Sequence, residues 1–198
     1  MATASSTSTR PAPVVNHRVG NPALVGTLAG VAAASMAVVS VGVAFLTSRD
    51  AAGSDFVPTT MVFDNYVAVT VVATLLLASA AVAWAVTATK VGNRRWASSG
   101  FALAALLDFA ALNLVWFLAK ETGLAVQGSE YAVLVYGAMF IAGVAVTAAM
   151  AGALLGFARV LGAQTSSSQP HLGLASAWVQ HLGTAAWVAA WGLIYLRK

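Results

Sequence analysis

The sequence predicts an all-α, polytopic membrane bundle with five transmembrane helices. Five apolar stretches, at about 23–46, 66–88, 97–119, 131–158 and 172–196, fill most of the 198 residues. Each suffices to cross a hydrocarbon core about 30 Å thick, which needs about 20 apolar residues of helix at about 1.5 Å rise each. Composition agrees, with 60% of residues hydrophobic and 8% charged, against about 25% charged in soluble domains. The connecting segments are short, so no soluble domain is expected outside the spans.

Residues 1–22 combine Ser, Thr, Pro and two arginines without apolar periodicity, which predicts a flexible cytoplasmic tail. A cleaved signal peptide is the competing reading, because Arg10 and Arg18 precede an apolar run with small residues following it at 51–54. That run exceeds the usual signal core of about 7–15 residues. Between the first two spans, Arg49, Asp50, Asp55 and Asp64 bracket the turn residues Gly53 and Pro58, a loop with no catalytic pattern. The next connection holds Lys90, Arg94 and Arg95 and is the strongest orientation mark. With five spans, Arg10, Arg18, Lys90, Arg94, Arg95 and Arg159 share one side, while Arg49, Lys120, Arg197 and Lys198 share the other. The excess predicts a cytoplasmic N-terminus and an external C-terminus.

Trp96, Trp116 and Tyr131 fall near span ends, where amphipathic rings settle at headgroup level. Small residues recur at fourfold spacing, Gly26 and Gly30 on the first span and Ala148, Gly152 and Gly156 on the fourth. Such rows let helix backbones approach where lipid supplies no hydrophobic drive. The net charge of +4 is spread over loops and ends, with no basic stripe to suggest nucleic acid. The absence of cysteine removes disulfides, thiolate metal sites and cysteine nucleophiles together.

Few strongly polar side chains fall at mid-depth, chiefly Asp108 and Asn113 on the third span and His181 on the fifth. Each is costly to place in lipid. Odd-numbered spans run in the same direction, so Asp108, about 16 Å into its span, and His181, about 14 Å into its own, stand at nearly one height. Asp108 shares a stripe with Ala104, Ala105 and Ala111; His181 shares one with Thr184, Ala185, Val188 and Gly192. Both stripes read as helix contacts. The sharp expectation is that Asp108 and His181 meet inside the bundle, or serve a partner protein or lipid. The bland one has a neutral Asp108 bonded to a Ser or Thr hydroxyl and His181 bonded to a backbone carbonyl. Of three histidines, His17 lies in the tail and His171 at a span boundary. One membrane histidine is too few for a metal or haem centre, and no nucleophile–base set, phosphate loop or carboxylate pair is present.

The last span reads Trp178-Val-Gln-His181-Leu-Gly-Thr184-Ala-Ala-Trp187, then Val-Ala-Ala-Trp191-Gly-Leu-Ile-Tyr195-Leu. It resembles the terminal helix of cytochrome c oxidase subunit III, which carries a Trp-His-Phe-Val-Asp-x-Val-Trp block and an apolar stretch ending in Tyr. His181, Trp187 and Tyr195 match in register; Gln180 stands for the first Trp, Leu182 for the Phe and Thr184 for the Asp. In the preceding span, Ala142 and Ala145 occupy the positions of the family's two histidines, while Gly143, Val144, Val146 and Thr147 resemble their surroundings. The basic start of the third span, Asn93-Arg94-Arg95-Trp96, also looks like bacterial members. Five spans and the orientation suit the short bacterial form lacking the first two helices.

The resemblance spans about residues 57–198 and implies a non-catalytic accessory subunit of a respiratory terminal-oxidase-like complex. It implies catalytic oxidase-like subunits and phospholipids as partners, with haem and copper held only by those subunits and none by this chain. Asp108, Asn113, His181, Thr184, Trp187 and Tyr195 are then the candidate buried polar, lipid or partner contacts. Departures at Ala142, Ala145 and Thr184 leave room for a different oxidase, a nitric-oxide-reductase-associated role or another membrane enzyme complex. A small proton-linked transporter or channel using Asp108 and His181 is the alternative from a different class.

Overall fold

The computed structural model describes residues 22–53, 56–58, 64–125, 129–164 and 171–196. The predicted tail, all but its last residue, lies outside them, as do Asp55, Arg197 and Lys198. Five α-helices account for nearly all of the described residues: α1 Pro22–Ala52, α2 Asn65–Lys90, α3 Arg94–Glu121, α4 Glu130–Leu161 and α5 His171–Trp191. The first four are long and apolar enough to cross a membrane. α5 is the shortest at 21 residues and runs on into a π-helical turn, Gly192–Leu196. The chain is therefore all-helical and of the multi-pass membrane type.

Local sequence explains where the helices begin and end. The side chains of Asp64, Asn93 and Ser129 accept hydrogen bonds from the backbone N–H groups of Val67, Trp96 and Ala132 at 3.0, 3.2 and 3.3 Å, occupying donors that a helix start leaves free. Gly92, at φ +75°, turns the chain after α2 into a backbone region that side chains disfavour. At the far end of α4, Arg94 Nη2 donates to the carbonyls of Val160 and Leu161 at 2.8 and 3.0 Å, capping from another helix what the last turn cannot satisfy itself. α1 differs from expectation by continuing six residues past 46 into the presumed loop. A basic residue suits a helix C-terminus, and Arg49 sits in that last turn.

α2, α3, α4 and α5 form a four-helix square, α2 beside α3 and α5, and α4 beside α3 and α5. Hydrogen bonds between the start of α3 and the end of α4, and between the end of α3 and the start of α4, set those neighbours antiparallel. This is the up-and-down arrangement that short connections favour. α3 and α5 consequently stand parallel across a diagonal. α1 lies outside the square, against α4 and α5, and among its described residues only Phe45 is fully buried.

Close approach within the square depends on particular glycines. A Cβ on Gly100 would stand 2.8 Å from Ala85 Cβ, one on Gly156 would stand 2.8 Å from the Phe101 ring, and one on Gly183 would meet Ala145 O at 3.1 Å. The fourth-span small row is thus a contact face at Gly152, which faces Ser176, and at Gly156. The first-span row is not: a Cβ on Gly26 or Gly30 would meet nothing within 4 Å, because α1 stands outside the square.

Two apolar half-cores result. One, containing Phe45, Leu75, Ala111, Val135, Val146 and Trp187, lies toward the C-terminal end of α1. The other, containing Val82, Phe101, Ala104, Ala105 and Ala153, lies toward the opposite end. Asp108 falls between Ala105 of one and Ala111 of the other, in a polar layer at mid-height.

Candidate functional site

α5 builds that layer from a row of residues spaced by four, Ser176, Gln180 and Thr184, all buried. Residues at this spacing share one helix face, yet each reaches a different neighbour. Ser176 Oγ donates to Gly152 O of α4 at 3.0 Å. Gln180 Nε2 donates to Asp108 Oδ1 of α3 at 2.8 Å, across the diagonal. Thr184 Oγ1 lies 2.8 Å from Ser79 Oγ of α2, 3.2 Å from Leu75 O and 3.1 Å from Gln180 O. One face of α5 therefore ties together the other three helices of the square.

Asp108 is completely buried and takes Gln180 as its partner. The expected meeting with His181 does not occur. His181 is exposed on the outer face of α5, and its Nδ1 lies 3.3 Å from Ser79 Oγ. Ala185 and Val188 of the stripe assigned to His181 are exposed beside it, whereas Thr184 of that stripe is buried in the square. The height comparison holds, since the residue bonded to Asp108 is the immediate neighbour of His181. The direction around the axis differs by one residue, about 100° at 3.6 residues per turn. The partners of the milder expectations also change: Asp108 bonds a carboxamide rather than a hydroxyl, and His181 bonds a hydroxyl rather than a carbonyl.

Hydroxyl chemistry orders the remaining contacts. Each hydroxyl has one proton to give. All four contacts are used when His181 Nδ1–H donates to Ser79, Ser79 donates to Thr184, and Thr184 shares its proton between the carbonyls of Leu75 and Gln180. The reverse order would leave both carbonyl contacts without a proton.

The other candidates divide by burial. Thr184, Trp187 and Tyr195 are buried, at 5%, 1% and 3% exposure. Asn113 is exposed on α3 and returns its Nδ2 to Phe109 O at 2.8 Å, satisfying itself along its own helix. Trp96 and Trp116 are exposed as expected, Trp96 edge-on to Trp84 with centroids 5.4 Å apart and Trp116 beneath Lys120. Tyr131 is no interface anchor. It is buried against Phe45 and Phe56, at centroid distances of 5.9 and 5.1 Å, because the end of α1 and the segment after it close over it.

Ala142 and Ala145 are buried where α4 meets α5. A backbone approach that close admits only small side chains. Among the described residues no group of three or more His, Cys, Asp or Glu side chains converges. An apolar groove of about 500 Å³ runs between α1, α4 and α5, lined by Val31, Val38, Phe140, Val144 and Leu182 among others, and a second of about 430 Å³ lies between α3 and α4. Sequence reasoning missed Gln180, Ser176 and Ser79. The fourfold spacing of Ser176, Gln180 and Thr184 was the available signal. No family model matches the chain, and no curated protein matches it either.

Proposed function

We propose that this chain is a non-catalytic accessory membrane subunit of a respiratory terminal-oxidase-like complex, supporting a catalytic subunit and its proton uptake and holding phospholipid beside it. It sits in a bacterial plasma membrane with all five helices as spans, N-terminus cytoplasmic and C-terminus external. At 21 residues, α5 is about 32 Å long, enough for the hydrocarbon core, and its side-chain ties to the other three helices of the square favour counting it as the fifth span. Haem and copper belong to the partner in this reading.

The observation that carries the reading is the use made of the interior polar groups. Ser176, Gln180 and Thr184 each fasten α5 to a different helix, an arrangement suited to rigid support. His181, Trp187 and Tyr195 keep the register of the subunit III terminal helix. The two grooves offer apolar walls for lipid chains. Exposed Leu106, Phe109, Asn113 and Trp116 on α3 give a partner helix both apolar surface and an amide. The transporter alternative needs Asp108 and His181 on one path, and it is weakened by their attachment to different partners on different sides of α5.

Purification from the native membrane in mild detergent tests the proposal. A haem-containing membrane subunit should copurify in fixed ratio with the chain. Recovery as a solitary protein, with no haem absorbance in any fraction holding it, overturns the reading. For the alternative, proteoliposome flux unchanged by Asp108→Asn dismisses a relay through that residue.

A further inference from the structure

Asp108 and Gln180 make one hydrogen bond and leave two oxygens over. Asp108 Oδ2 and Gln180 Oε1 are both buried without a partner, and both residues are 0% exposed. An ionised carboxylate and an amide oxygen offer only acceptors, so a charged Asp108 would strand two acceptors and a net charge with no protein donor beside them. Stranding them is costly. No opposite charge is at hand. α2 carries none between Asp64 and Lys90, α3 none besides Asp108 between Arg95 and Lys120, and α4 none between Glu130 and Arg159. On α5 the titratable side chain near this height is His181, which faces outward to Ser79. Arg49 and Asp50 lie at the end of α1, far along the axis.

A proton on Oδ2 supplies the missing donor. A carboxylic acid and a primary amide, each planar with one donor and one acceptor along a shared edge, close an eight-membered ring with two hydrogen bonds. Gln180 Nε2 to Asp108 Oδ1 is the first of them; a proton on Asp108 Oδ2 directed at Gln180 Oε1 would make the second. We propose that Asp108 and Gln180 form a proton-binding site at the centre of the helix square, where a neutral acid–amide pair clasps α3 to α5 across the diagonal. A metal cation is the poorer occupant, since hard cations such as Ca²⁺ take about six to eight oxygen ligands and the pair has two to offer. The proton comes from bulk water during folding and leaves only when the square opens or the pH rises far enough. This inference does not depend on the identity of any partner complex.

Infrared spectroscopy of the full chain in detergent or lipid, with isotopically labelled aspartate, reads the protonation state directly. The carbonyl band of a protonated aspartic acid should be present at neutral pH and should vanish in Asp108→Asn. That variant is expected to fold, because an Asn–Gln pair makes both hydrogen bonds. Should it fail to fold, the labelled band of a variant carrying Asp50→Asn, Asp55→Asn and Asp64→Asn decides, because Asp108 is then the one aspartate left in the chain. A spectrum showing only carboxylate at neutral pH overturns the proposal. So does a thermal midpoint that rises in sodium salts but not in choline salts, which would mark a bound cation instead.

Discussion

Gln180 and His181 are adjacent in sequence and opposite in role. Gln180 points into the square and holds Asp108; His181 points out. Removing one partner of a buried hydrogen bond leaves the other unsatisfied, at about 1–3 kcal/mol. Gln180→Leu is therefore expected to lower the thermal midpoint in detergent clearly, and Asp108→Asn to change it little. His181→Ala should have a small effect, because Ser79 can still donate to Thr184. Equal losses for Gln180→Leu and His181→Ala would contradict the assignment of inner and outer faces. Linkage gives the pH sign. A folded state that binds one more proton than the unfolded chain loses stability as pH rises, so the wild type should lose stability as pH climbs above about 4, the ordinary aspartate value, a loss that Asp108→Asn is spared.

Among the helices, α2 and α3 approach over Gly100, where a methyl group would sit 2.8 Å from Ala85 Cβ. The obstructing atoms belong to a helix backbone and its β-carbon, which cannot swing aside. Gly100→Ala should part these helices and cost about 1–3 kcal/mol, as overpacking does. Gly30→Ala has open space around it and should be neutral or gain up to about 1 kcal/mol from reduced backbone freedom in the unfolded chain. Unfolding in a lipid-like detergent with both variants separates the two cases. The Gly26–Gly30 and Gly152–Gly156 rows look alike in the sequence. Only the second meets another helix, because spacing reveals that a face is small without revealing what lies opposite.

For the whole molecule, the expected topology places Lys90 and Gln164 on the cytoplasmic side and Asp50 and Glu121 outside. A chain without cysteine is ready for single-cysteine labelling. Asp50→Cys and Glu121→Cys should react with a membrane-impermeant thiol reagent on intact cells, while Lys90→Cys and Gln164→Cys should react only after permeabilisation. The opposite pattern would invert the chain, and mixed labelling of Glu121→Cys and Asp50→Cys would remove a span.

The helices, their approximate lengths and the height of each polar residue could be read from the chain alone. Apolar run length answers to membrane thickness, and height along a helix is a count of residues at a constant rise; neither depends on neighbours. That is why Asp108 was matched to the correct level of α5. Which way a side chain faces depends on which helices flank it, and this needed the packed bundle. α1 standing aside, the α3–α5 diagonal and the closure of Phe45 and Phe56 over Tyr131 all follow from close contacts between segments distant in sequence. Those contacts turn on a few glycines and alanines, whose small size is visible in the sequence but whose opposing surface is not.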